Sequence, residues 1–245
     1  FGLVKVTWAN LKGQLAGTHN KIINGNFGVN QRAVSGTVVL TAGQYGHDRF
    51  KAGASGCIYT FATSANVTTL TISAGSLVQV IEGINLFSGS VVLSWAGTAQ
   101  GKIGGGSYGV SGVLGTATGG TNMSVEFGTG TLSKVQLEYG VTPSVFEYGT
   151  LWLEEARCQR YCQLVTGIGA SAYQASGSAV VVTVGFKVRM RATPTLIITN
   201  NGSLINSSST TVYAPSVDGF GFGVVPLTTG PTSTIGATAL ATAEL

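Results

Sequence analysis

The chain has 245 residues, of which 44% are hydrophobic and 9% charged, with 13 Lys and Arg against 9 Asp and Glu. That length supplies one large or two ordinary domains with a real core. A charge content far below the roughly 25% of a typical soluble domain, with its net +4 spread thinly, argues against the dense basic footprint that nucleic acid requires.

The polar surface must therefore come from Ser, Thr, Asn, Gln and the 37 glycines. Gly, Thr and Val are poor helix formers, whereas the same mixture suits strands joined by tight turns. Residues 1–19 read as an N-terminal connector. Val4, Val6 and Trp8 alternate as in a strand, while Trp8, Leu11 and Leu15 fit a helical stripe, and both readings stand. The segment cannot bury its apolar side alone, so a partner chain or the next domain is expected to cover it. The opening Phe1-Gly2-Leu3, without Met, reads as the start of the C-terminal part of something longer.

Residues 20–149 carry strand signals throughout: Thr37–Leu40, Cys57–Phe61, Val67–Ile72, Leu77–Ile81, Val91–Trp95, Met123–Phe127 and Leu132–Leu137. Residues 101–120, rich in Gly, Ser and Thr, read as a long loop or weak hairpin. Short strands at spacings near ten residues predict an antiparallel sandwich. Residues 150–165 then read as a linking helix. Thr150 is its N-cap, Glu154 and Glu155 lie near the positive end, and Leu153, Ala156, Arg160 and Leu164 share one side. Cys158 and Cys162 fall at i, i+4 on that helix.

Residues 166–245 return to β signals. Val180 to Arg191 alternates strictly over twelve residues, with Val180, Val182, Val184, Phe186, Val188 and Met190 on one side. Thr195–Thr199, Thr211–Tyr213 and Thr234–Ala241 are further strands, and Asn200-Asn201-Gly202 is a turn. Phe220-Gly221-Phe222-Gly223-Val224 puts aromatics on one face and only Gly on the other, so a sheet or a neighbouring chain is expected against the Gly face. The fold class is thus all-β: an antiparallel sandwich, a short connecting helix, and a second small antiparallel domain.

Chemistry is thinly signalled. Three cysteines (Cys57, Cys158, Cys162) make no disulfide framework and, with His19 and His47 distant in sequence, no metal site. Gly104-Gly105-Gly106 lacks the Lys and the strand–helix context of a phosphate loop. No cofactor is expected. No apolar run reaches the ~18 residues of a membrane span, and no signal peptide is visible. Asp48 reads as a loop tie, Glu138 and Glu147 as positions that close a strand, and Trp95 as core. For glycan recognition the useful groups are exposed aromatics and amides. Tyr108 in the Gly-rich loop, with Tyr173, Tyr213, Asn200, Asn201 and Asn206 in the C-terminal domain, are the candidate receptor-contact residues.

A set of short phrases follows one order along residues 22–245. These are Ile23-Asn24-Gly25-Asn26-Phe27 with Val29-Asn30-Gln31-Arg32, His47-Asp48-Arg49-Phe50, Leu93-Ser94-Trp95, and Val135-Gln136-Leu137-Glu138-Tyr139-Gly140 with Thr142-Pro143 and Phe146-Glu147. They continue with Glu154 to Tyr161, Arg191-Ala192-Thr193-Pro194-Thr195, and the final Ala243-Glu244-Leu245. In this order they resemble the C-terminal part of bacteriophage and prophage tail-fibre proteins, which implies that the antiparallel sandwich is a carbohydrate-binding-module-like jelly roll followed by a β tip domain. The departures are Cys162, where the family has a second Tyr, and Thr242, where it has Asp.

The resemblance implies the distal end of a fibre in the virion, a homotrimer joined to an upstream fibre or baseplate protein. Its C-terminal domain would meet a host receptor, a bacterial surface glycan above all. Leu153 and its neighbours would be buried between chains. No enzymatic activity is expected; the competing readings are a polysaccharide-degrading tailspike and a purely structural virion part.

Overall fold

The computed structural model describes residues 19–245, and the reading of 1–18 as strand or helix lies outside the described residues. Among the described residues the chain is all-β with one α-helix and one short 3-10 helix (Gly83–Asn85), and every strand pairing is antiparallel. It divides into two compact units, and the division falls inside the helix, between Glu154 and Glu155.

The first unit contains β1 (Val38–Leu40), β2 (Lys51–Ser64), β3 (Val67–Ile81), β4 (Gly89–Ala96), β5 (Gly101–Ile103), β6 (Val113–Ala117), β7 (Met123–Phe127) and β8 (Gly130–Tyr139). One ladder runs β1-β2-β3-β7-β5 and the other β8-β4-β6. The two are joined where Leu70–Ile72 of β3 pairs with Gly130–Leu132 of β8. From β3 to β8 each successive strand belongs to the opposite ladder. Both ladders turn alternate side chains into one core, which includes Leu70, Leu77, Leu93, Trp95, Phe127 and Leu137. Trp95 lies edge-on to Phe127 and its indole N–H donates to Ala99 O, so this ring is core.

Two expectations change here. Val67–Ile72 and Leu77–Ile81 are one long strand, β3, rather than two. Ile72 and Leu77 are five residues apart, so both can face the core only if the alternation slips once. The register of β2 and β3 shifts on either side of the Cys57–Gly75 pair, where Gly75, at φ +71°, and Gly56, at φ +80°, supply left-handed backbone. Residues 101–120 are not a hairpin either. β5 pairs with β7 and β6 with β4, so the Gly-rich stretch feeds two different ladders.

The helix, α1, spans Leu151–Gln159 and stops short of the expected 165. Its N–H groups at Leu153 and Glu154 reach the Thr150 carbonyl, and Tyr161 N–H to Cys158 O tightens the last turn. Cys162 and Leu164 therefore lie on the next strand and not on the helix. Leu153 is half-buried, whereas Leu151 and Trp152 are exposed.

The second unit contains β9 (Cys162–Gln174), β10 (Val180–Gly185), β11 (Thr195–Asn200), β12 (Ser203–Ile205), β13 (Thr210–Tyr213), β14 (Gly219–Val224) and β15 (Gly230–Thr242). The long β15 is flanked by β9 on one side and by β11 and β12 on the other. A separate sheet runs β10-β14-β13. Their inner faces meet through Ile168, Ala237 and Ala239 on one side and Phe220 and Phe222 on the other. The alternating strand from Val180 ends at Gly185 instead of Arg191. Beyond it Phe186 N–H bonds Asp218 O and Met190 N–H bonds Val217 O, which hold the chain outside any ladder while Met190 stays buried.

The slip in β3 yields a direct test. A Cβ on Gly75 would sit 2.0 Å from the Gly56 carbonyl oxygen, whereas one on Gly104, also at positive φ, meets nothing within 4 Å. Gly104→Ala should cost about 1–2 kcal/mol for the left-handed backbone alone. Gly75→Ala should cost clearly more, about 3 kcal/mol or above, in urea unfolding. Equal costs would remove the close approach as the reason for Gly75.

Candidate functional site

The phrases that carry the resemblance converge on scaffolding. In the first unit Asp48 is fully buried; it accepts from Gln31 N–H (2.6 Å) and from Gln31 Nε2 (3.0 Å), with Arg32 Nη1 at 3.5 Å. The Asn24 amide accepts from Val29 N–H and donates to the carbonyls of Val29 and Asp48. Arg49, 1% exposed, donates through Nη2 to Val80 O, and Phe27 packs on Phe50 at 4.6 Å. The tie between an Asp and a neighbouring loop, expected from sequence, is thus present. Beside it His47 meets the Tyr59 hydroxyl at 2.9 Å and lies edge-on to Phe61. Burial pulls its pKa down to about 4.

The second carboxylate cluster closes β8. Glu138, 2% exposed, accepts from Ser144 N–H and Oγ and from Gln136 Nε2, and it lies 3.1 Å from His19 Nδ1. Burial alone would raise its pKa, but these donors outweigh it and hold the carboxyl below the usual range. Gln136 Oε1 accepts from Glu147 N–H, and a Glu147 carboxylate oxygen accepts from Asn20 N–H. The Asn20 side chain in turn bonds Ile22 N–H, Leu137 N–H and Val135 O. Glu138 and Glu147 therefore fasten residues 19–25 and 142–148 to β8.

In the second unit Gln163 accepts from Lys187 N–H and donates to Val188 O. Arg160 O accepts from Arg191 N–H, Tyr161 O from Ala243 N–H, and Ala243 O from Arg191 Nη1. The phrases around Arg160, Arg191 and Ala243 thus meet in one place, and their work is to tie segments together.

The sequence-derived contact residues fall in both units. Tyr108 belongs to the first, on the outward side of β5 and β7, with Lys102 Nζ 4.7 Å from its ring centre. Lys102 is paired to Glu126 at 3.0 Å, and Glu126 also accepts from Ser76 Oγ at 2.6 Å. Burial, then hydrogen bonding to Glu126 and its charge, push the Tyr108 phenol up to about 12. Burial would raise Glu126, but its bonds to Ser76, Lys102 and Tyr108 prevail and lower it. The Lys102, Glu126 and Ser76 partners are not separable in sequence from ordinary strand residues.

The other five lie in the second unit. Asn206 uses its whole amide internally: Oδ1 accepts from Thr228 N–H and Oγ1, and Nδ2 donates to Thr228 O and Thr232 Oγ1. Asn201 Oδ1 accepts from Thr210 N–H and Oγ1, and Asn200 Oδ1 accepts from Gly202 N–H. These amide oxygens shape the turns around β12. Tyr173 is different. It is 73% exposed at the end of β9, opposite Pro231 on β15. Ile205 and Ile235, which sequence reasoning did not select, are exposed on the same sheet. No exposed position on β9, β11, β12 or β15 carries a charge.

Tyr213 stands on the outward side of the other sheet, paired with Gly221, in a row with Thr183; the next row is Val181, Gly223 and Thr211. The Gly face, where the sequence calls for another sheet or chain, is filled from within the unit. A Cβ on Gly223 would lie 2.5 Å from the Val180 carbonyl oxygen, 3.0 Å from Tyr213 Cε2 and 3.2 Å from Val181 Cγ2. One on Gly221 would lie 3.0 Å from Tyr213 Cβ and 3.1 Å from Val181 Cγ1. The two flanking side chains lean over the glycines.

Among the described residues no three His, Cys, Asp or Glu side chains converge as metal ligands, and no helix is long and apolar enough to cross a membrane. No family model matches the chain, and no curated protein or solved structure matches it.

Two pH outcomes follow. The ring C–H resonances of His47 should stay at their neutral positions from pH 8 to 5 in NMR, because its folded pKa is about 4. Titration near 6.5 would contradict its burial. Glu138 has a folded pKa below its ordinary value, so its stabilisation is present above about pH 4.5 and is lost as pH falls through the folded pKa. Glu138→Gln should lower stability at pH 7 and flatten the acid side of the stability profile, read by urea unfolding at stepped pH.

Proposed function

We propose that this chain is a non-enzymatic adhesion module, the distal end of a phage tail fibre that binds a bacterial surface glycan through its second unit. The carrying observation is that outward rows of the second unit's sheets offer Tyr, Ser, Thr and Ile without a charged side chain. Such a surface suits uncharged, hydroxyl-rich ligands, because sugars present apolar C–H faces and a rim of hydroxyls. We also read the alternation of β3 to β8 between two ladders as a jelly roll, the architecture that the resemblance implies.

Three copies joined to an upstream fibre or baseplate protein would turn shallow contacts into useful avidity. The exposed Leu151 and Trp152 on α1 are a natural place for chains to meet. The engagement of Asp48, Glu138 and Glu147 in scaffold bonds favours adhesion over a degrading tailspike, whose glycosidase chemistry calls for a pair of carboxylates beside the substrate.

Adsorption of the labelled full chain to a panel of bacterial cells and their purified polysaccharides tests the reading. Saturable binding to one of them, lost by about tenfold or more in a Tyr173→Ala, Tyr213→Ala double variant, is the expected outcome. New reducing ends released from the polysaccharide would favour the enzyme instead. Light scattering should give three chains per particle, and a monomer at micromolar concentration would remove the avidity argument.

A further inference from the structure

We propose that the Tyr213 ring, seated on Gly221 and Gly223, is a stacking platform for the apolar face of a neutral hexopyranose. The proposal rests on the adhesion reading and names the ligand class and the atoms that would take it.

Stacking a sugar on an aromatic ring requires a ring that is already held still. An unrestrained side chain gives up rotamer freedom when it is captured, which weakens binding. Here the restraint is in place before any ligand arrives. Gly223 has no side chain, and the space one would need is taken by the Val180 carbonyl oxygen, 2.5 Å from the absent Cβ, and by Tyr213 Cε2, 3.0 Å from it. Gly221, directly across the ladder, leaves room for the Tyr213 Cβ in the same way. Val181 closes the opposite flank, with Cγ1 and Cγ2 at 3.1 and 3.2 Å from the same two positions. The ring is thus supported from beneath by bare backbone and from the side by a half-exposed valine.

The surroundings select the ligand. Thr183 and Thr211 lie in the same two outward rows and are exposed, so hydroxyl donors and acceptors flank the ring. Neither row contains a charged residue. A uronate or phosphorylated sugar would bring a charge that these rows do not answer, whereas a neutral hexose meets C–H against ring and hydroxyl against hydroxyl. A tyrosine laid over cross-strand glycines also supports a sheet on its own account. The experiment must therefore read binding separately from folding.

Immobilised dextran, mannan and galactan serve as neutral probes and alginate as the acidic one, each titrated with the full chain. At least one neutral polymer should bind, and alginate should not. Tyr213→Ala should weaken that binding about 3- to 10-fold, while Tyr213→Phe, which keeps the ring, should stay within about twofold. Gly221→Ala, whose methyl would meet Tyr213 Cβ at 3.0 Å and Val181 Cγ1 at 3.1 Å, should weaken it similarly by displacing the ring, with Gly104→Ala as the control for an inserted methyl elsewhere. Thermal unfolding identifies which variants remain folded, and Tyr213→Phe keeps the comparison decisive if either alanine variant does not.

A folded Tyr213→Ala chain that binds as well as the wild type overturns the platform, as does binding to alginate alone or to none of the four polymers. Cell adsorption separates the two levels. Wild-type chain that adsorbs to bacteria while Tyr213→Ala adsorbs equally leaves adhesion standing and removes the platform. Wild-type chain that adsorbs to no cells removes the adhesion reading itself.

Discussion

The Asp48 carboxylate is the fixed point of the first unit. It is fully buried, and an ionised group in that position is tolerable only when donors surround it. Gln31 supplies both a backbone and a side-chain N–H, and Arg32 stands beside it. Meeting that demand brings residues 24–32 against 47–50 and so places Phe27 on Phe50. In a chain so short of charge, each buried acid or base sets the position of a loop. Glu138 repeats the arrangement at the end of β8. Removing a buried partner of this kind typically costs about 3–5 kcal/mol, far more than most surface changes.

The second unit obeys another constraint. Its long strands β9 and β15 put Ala170, Ala172, Ala237 and Ala239 at inner positions, with Phe220 and Phe222 supplied by the facing sheet. Small residues on one face and aromatics on the other keep the packing dense without large side chains on both. The same economy appears outside, where Gly221 and Gly223 leave space that Tyr213 and Val181 fill. One strand, β14, thus carries aromatics into the core and a bare backbone to the surface.

Much of this was legible in the sequence, for identifiable reasons. Met123–Phe127 is recovered to the residue, because alternation over a short strand with one buried face has a single solution. The sequence pattern reveals the helix but overextends it, since Cys158 and Cys162 fit helical spacing as well as they fit a helix end and a strand start. β9 leaves no signal in the sequence pattern. Its Gly, Ala and Ser residues carry almost no hydrophobic period, and only pairing with β15 over most of its length makes it a strand. The alternation from Val180 ran past the end of β10 because burial continued to alternate after the ladder stopped. For the candidate site the exposure of Tyr173 was readable. The capture of Asn206 by Thr228 and Thr232 was not, because those partners lie more than twenty residues away.

The three cysteines have a further consequence. All are buried thiols, and burial pushes the Cys57 thiol up to about 11, so almost none of it is present as the reactive thiolate near neutral pH. With its three cysteines buried and joined by no disulfide, the fold shields its thiols from the redox state of the surrounding solution. Met123 and Met190 are buried as well, so oxidants have little exposed sulfur to attack.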